Sequence, residues 1–215
     1  MIDKETENVN TLIEMKAEKS STLPGTERDE NRLDDKKLRI INAAKGVFLK
    51  YGYRRVTMND LAEAAGMSRP ALYLVFPKKE DVFCGVVREL ARGISEEVSR
   101  GLGSIKTPIE KLKFVCEVWM VRSFDWVNES PEAREVFESS HEFAGEAVNE
   151  SLAVFERDLA SVIELFPKTT MPKGISHAHA AHLLAGAIMG IKKTCKTSDE
   201  LRKEIHALIG MMIRI

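Results

Sequence analysis

The sequence predicts an all-α protein: a small basic helical domain near the start, followed by a larger acidic helical region. Three observations carry that expectation. Apolar residues recur at helical spacing from Leu38 almost to the end, no run of alternating residues reads as a strand, and one short block is positively charged inside an otherwise acidic chain.

The chain has 215 residues, 44% hydrophobic and 30% charged, which suffices for a core without disulfide or metal staples. The longest apolar candidate, Ala180 to Ile191, is interrupted by His182 and followed by Lys192 and Lys193, so a membrane span is not expected. The opening MIDKETENVN lacks the apolar segment of a secretory signal. Cys84, Cys116 and Cys195 are far apart, a pattern that suits buried thiols in a reducing cytoplasm. The formal net charge of -1 hides an asymmetry: Leu33 to Arg92 holds twelve Lys/Arg against seven Asp/Glu, an excess of +5. Such a block steers toward a polyanion.

Residues 1–32 are polar and weakly periodic, and read as a flexible extension. A first helix places Leu38, Ile41, Ala44 and Val47–Phe48 on one side and ends near Tyr51-Gly52. Thr57 caps a second helix from Met58 to Ala65, with Asp60 as a shortened capping-box partner, and Gly66 stops it. Ser68 caps a third, with Pro70 in its first turn and Pro77 closing it. A fourth opens at Lys79-Glu80 and runs to about Gly101, with the seam between the two domains inside it. Further starts are Thr107-Pro108, Ser130-Pro131 and Thr197 to Glu200, with one long helix inside Glu138 to Phe166 and another over Ile175 to Lys193.

Two short helices separated by Gly66-Met67-Ser68 cannot stack end to end, because the glycine turns the backbone sharply. Leu61, Ala62, Ala65 and Leu72 then set their angle and present the second as a rod that fits a DNA major groove. Ser68, Arg69, Tyr73 and Leu74 fall on its outer side. Arg54, Arg55, Thr57 and Asn59 lie at or ahead of the first helix of the pair, and Lys78 and Lys79 follow the second, all positioned for phosphates.

These stretches resemble the TetR family of bacterial helix-turn-helix regulators. The resemblance rests on Ile40 to Phe48, Gly52 to Ser68, Ala71-Leu72-Tyr73 and Phe76 to Val82, little more than a fifth of the chain. Family members commonly place aromatic or polar residues between the Leu-Tyr pair and the Phe, where this chain has Leu74 and Val75. Val75 reads as core, while Leu74 either meets a thymine methyl or leaves that contact unmade.

The resemblance implies residues 33–83 as the DNA-binding domain and 84–215 as a helical effector-binding and dimerisation domain. In the latter, Trp119, Met120, Phe124, Trp126, Phe137, His141, Phe143 and Phe155 concentrate aromatic and soft side chains. They line an apolar cavity or pack a solid core. The last two helices are apolar over much of their surfaces, and Ala181, Ala185, Gly186, Met189, Gly190, Leu208, Ile209 and Met212 mark an expected twofold dimer face.

Taken together, the chain is expected to be a ligand-responsive regulator, a repressor released from palindromic double-stranded DNA by a small, largely apolar effector. An effector-independent, nucleoid-like DNA-binding protein is the alternative. No enzyme, cofactor or metal is expected: no catalytic constellation or phosphate-cradling loop is evident, and His177, His179 and His182 lack a partner cluster.

Overall fold

A computed structural model describes residues 26–171 and 173–213. Every regular element among them is helical. The chain divides into two units at Arg39/Ile40, and of the first the structure describes only the N-terminal part of helix α1 (Thr26–Tyr51). The extension expected over 1–32 therefore lies outside the described residues as far as residue 25, while Thr26 to Arg32 are helical.

Within the second unit, α1 continues to Tyr51 and is followed by α2 (Met58–Ala64) and α3 (Arg69–Tyr73). The buried stripe of α1 is Ile40, Ala44 and Phe48. Leu38, expected to face inward, is 40% exposed, because the stripe that repeats every four residues starts two positions later. Helix α4 (Lys79–Leu102) gives Val82, Phe83 and Val86 to one core and Ala91 and Val98 to another.

The remaining helices are α5 (Pro108–Cys116), a π-helical stretch (Glu117–Val121), α6 (Arg122–Glu129), α7 (Pro131–Phe143), α8 (Gly145–Ile163), α9 (His177–Lys192) and α10 (Ser198–Met212). Their starts are locally determined: Thr107, Ser130, Ser176 and Thr197 each accept a hydrogen bond from a first-turn backbone N–H. The long helix expected inside Glu138 to Phe166 is α8, which begins at Gly145; Ala144 (φ -134°, ψ 33°) separates it from α7, to which Glu138 to Phe143 belong.

Two apolar cores result. The smaller gathers Phe48, Tyr53, Leu61, Leu72, Phe76 and Phe83 with Val136, Ala144 and Ala147 from the α7–α8 corner. The larger is built by α4, α5, the π-helical stretch and α8 to α10, with Trp119, Phe155, Leu184 and Ile205 inside it and Phe124 of α6 packed against it. The small core is thus not sealed within α1 to α3; a corner of the downstream helices completes it.

Two glycines hold turns that no other residue fits equally well. Gly66 (φ 64°) closes α2: its N–H donates to the Glu63 carbonyl and that of Met67 to the Ala62 carbonyl, at 3.0 Å each. Gly52 (φ 77°) is also crowded, since a Cβ there would run into the Glu135 carboxylate. Gly66→Ala is expected to cost about 1–2 kcal/mol, the left-handed penalty alone. Gly52→Ala is expected to cost more, because it also displaces Glu135; thermal unfolding of the two variants checks the order.

Candidate nucleic-acid interface

Helix α2 begins with a reciprocal cap. Thr57 Oγ1 accepts from the Asp60 backbone N–H at 3.3 Å, and the Asp60 carboxylate accepts from the Thr57 N–H at 2.8 Å and its hydroxyl at 2.7 Å. Those bonds favour the ionised carboxyl and hold Asp60 below its ordinary value. Ser68 Oγ accepts from the Ala71 N–H at 3.3 Å and starts α3, with Pro70 in the first turn. Only five residues long, α3 has one buried residue, Leu72, which is 0% exposed.

That single anchor turns the other side of α3 outward. Ser68 and Arg69 are exposed, Tyr73 is 39% exposed and Leu74 is 87% exposed. One turn apart, Arg69 Nη2 lies 3.4 Å from the Tyr73 hydroxyl, and its guanidinium sits 5.5 Å from the ring centre. The two side chains group their hydrogen-bonding atoms beside the exposed apolar tip of Leu74. Arg55, Thr57, Asn59 and Lys78 are also exposed, and neither Arg55 nor Lys78 has an ion pair among the described residues. Val75 is half-buried against the small core, as expected.

Two expected phosphate contacts are engaged elsewhere. Lys79 points inward: its Nζ donates to the carbonyls of Tyr53 and Val56, at 3.0 Å each, and lies 4.2 Å from the Tyr53 ring centre. It ties off the turn between α1 and α2, so it is a structural clamp. Arg54 donates to Glu142 at 2.9 Å, and its backbone N–H donates to Glu135 at 2.7 Å. Its charge is thus paired with α7 in this structure.

The same turn is therefore docked onto α7. Tyr53 stacks on Phe143 with ring centres 4.8 Å apart, and Arg88 of α4 donates to Glu150 of α8 at 2.9 Å. Glu135, Glu142 and Phe143 were invisible as contact residues in the sequence, because the pairs they form span more than eighty positions.

The family profile described as "Bacterial regulatory proteins, tetR family" matches residues 40–84, the segment that holds this cap, this turn and α3. The chain carries a TetR-family helix-turn-helix domain. Its relatives are HTH-type transcriptional regulators. It is 25% identical over 170 residues to the transcriptional activator FasR of Mycolicibacterium smegmatis, covering 78% of this chain and 74% of that protein. It is 38% identical over 60 residues to the transcriptional repressor AcnR of Corynebacterium glutamicum, covering 28% of this chain and 32% of that protein. In three dimensions it matches a TetR-family regulator of Pectobacterium atrosepticum with a TM-score of 0.65 at 16% identity, over 86% of this chain and 97% of that one. The all-helical architecture, a helix-turn-helix followed by a larger helical part, is that of TetR-family regulators.

Beyond the TetR-family domain, the eight expected pocket residues do not gather round one cavity. Trp119, Met120 and Phe155 are buried in the large core, with Phe124 packed against it. The Trp119 indole donates to Asp158 at 2.8 Å. Trp126 and Phe143 pack on the small core. Phe137 and His141 form an edge-on pair on α7, with centres 4.9 Å apart.

On α9 and α10, Ala181, Ala185 and Ile209 face the chain's own large core at 1%, 4% and 0% exposure. Both sides of α9 are apolar, so periodicity alone selects no side. The outward side holds Leu183, Gly186 and Gly190, and α10 adds the 82% exposed Met211; Met189, Leu208 and Met212 are half-buried. Among the described residues no helix is long and apolar enough to cross a membrane, and no group of three His, Cys, Asp or Glu is arranged to hold a metal ion.

Proposed function

We propose that this TetR-family chain works in the cytoplasm as a homodimeric, ligand-responsive repressor of a palindromic operator. The observation that carries the reading is the outer side of α3: Arg69, Tyr73 and Leu74 exposed together, on a helix held by Leu72 alone. The residues proposed to touch DNA are Ser68, Arg69, Tyr73 and Leu74 on the bases and adjacent backbone, with Arg55, Thr57, Asn59 and Lys78 on phosphates. The 84–215 region is proposed to bind the effector and to dimerise through the outward side of α9 and α10.

Coupling between the two regions follows from the docked turn. A ligand that shifts α7 or the α7–α8 corner moves Glu135, Glu142 and Phe143, and these hold the segment that leads into α2. In a twofold dimer, a small change there alters the separation of two recognition helices that must sit roughly 34–36 Å apart. Differential affinity of the ligand for the two geometries is then the source of release.

Activation is the second reading, favoured by the name of FasR, the activator aligned over most of this chain. Transcription from a promoter carrying the selected operator separates the two. Added protein that lowers transcript supports repression, and added protein that raises it supports activation. Absence of any specific operator contradicts both.

On this reading Leu74 is proposed to meet a thymine methyl. An 87% exposed leucine on a DNA-reading helix has one apolar feature to meet in the major groove, the thymine C5-methyl group. Replacing thymine by uracil, one operator position at a time, is expected to weaken binding at one symmetric pair of positions by about 3–10-fold, and to have no effect there on Leu74→Ala. A uracil scan that is flat for the unaltered protein contradicts the contact.

A further inference from the structure

Lys192 ends α9 with its ammonium turned inward. Nζ donates to Ser123 Oγ on α6 at 3.1 Å and lies 5.5 Å from the ring centre of Phe137 on α7. The Ser123 hydroxyl lies 2.7 Å from the Trp119 carbonyl and 3.1 Å from that of Met120, both in the π-helical stretch. Its proton is thus directed at backbone, and a lone pair receives the lysine. An ammonium has three N–H groups, and this single bond is the one Lys192 makes among the described residues. None of the last-turn carbonyls of α9 receives it, so it is no helix cap.

The surroundings are basic. Burial lowers the ammonium to about 8. His141, edge-on to Phe137, is pushed below its ordinary value first by burial and then by Lys192 and Lys193. No carboxylate among the described residues pairs with Lys192. A buried cation without a counter-charge is costly, and that cost falls when an anion arrives. His141 is exposed and Phe137 half-buried, so the cluster borders the α7 surface. The adjoining π-helical stretch is the kind of irregularity that recurs at functional sites.

We propose that Lys192, Ser123 and Phe137 form the acid-recognising end of the effector site, which takes an organic anion: carboxylate oxygens on the Lys192 ammonium, apolar body against Phe137. This rests on the ligand-responsive reading above and adds the charge of the ligand to it. The same α7 that carries Phe137 and His141 carries Glu135, Glu142 and Phe143, so an anion bound here acts on the helix that docks the α1–α2 turn.

The test uses full-length protein with [13C]methylated lysines, the Lys192 signal being assigned by its loss in Lys192→Met. The probes are octanoate and benzoate, with 1-octanol and benzyl alcohol as uncharged controls. At least one anion is expected to move the Lys192 signal, to raise its titration midpoint and to raise the melting temperature. Binding to Lys192→Met is expected to weaken about 10–100-fold, the range for a charge-assisted hydrogen bond, while that variant folds and melts cooperatively. The proposal is overturned if neither anion moves the signal, if the alcohols act equally, or if Lys192→Met binds as tightly. Release of DNA by an uncharged compound with the Lys192 signal unmoved overturns the anion site but leaves ligand response intact. An anion that binds at Lys192 without changing operator affinity does the reverse.

Discussion

Leu72→Ala is expected to destabilise the protein by about 2–5 kcal/mol and to abolish most of its operator affinity with it. The size follows from burial: Leu72 is 0% exposed and is the one buried residue of a five-residue helix. A helix that short has no stability of its own in water, so α3 exists because Leu72 docks it against the core that holds Phe48, Phe76 and Phe83. Truncation leaves a cavity and lets the reading face lose its fixed orientation. Leu74→Ala, two positions away, is the control. Its side chain is 87% exposed, so stability is expected to change by no more than about 0.5 kcal/mol while base preference changes. Denaturant unfolding and operator binding of both variants check this; equal stability losses contradict it.

Lys79→Met is expected to cost about 2–3 kcal/mol, whereas Lys78→Ala costs almost nothing in stability. Lys79 makes two charge-assisted bonds to the backbone of the α1–α2 turn and covers the Tyr53 ring, and methionine keeps the stem while losing all three contacts. Lys78 offers only its backbone N–H to the protein, donating to Asp81 at 3.1 Å, and its side chain stays exposed. The two lysines therefore separate in a salt titration of operator binding. Lys78→Ala is expected to reduce the slope of log K against log salt by about 0.9 for each phosphate contact removed, and Lys79→Met to leave the slope unchanged. A reduced slope for Lys79→Met means that it reaches DNA after all.

Much of what neighbours a few positions away determine in this fold was legible in the sequence. Thr57, Ser68, Thr107, Ser130 and Thr197 cap helices because a side-chain oxygen and the N–H it satisfies are three residues apart. Gly66 turns the chain for an equally local reason. Contacts between distant segments were not legible. Adjacent in sequence and identical in type, Lys78 and Lys79 differ only because the Tyr53 and Val56 carbonyls lie within reach of one of them. Arg54 reads as a DNA contact until α7 brings Glu142 to it. The aromatic residues from Trp119 to Phe155 look like one cluster along the chain, yet helical geometry sends them to two cores and a surface pair. Lys192 registered only as the end of an apolar run, since nothing in its vicinity along the chain announces Ser123 or Phe137.

Selection of duplexes from a random library by the full-length protein, followed by affinity measurement with Arg69→Ala, tests the central claim most directly. The expected result is enrichment of a palindrome whose half-sites are about 10 base pairs apart, centre to centre, or a small multiple of it. Arg69→Ala should bind it about 10–100-fold more weakly at an unchanged melting temperature. No enriched sequence, or equal binding by Arg69→Ala, contradicts α3 as the helix that reads DNA.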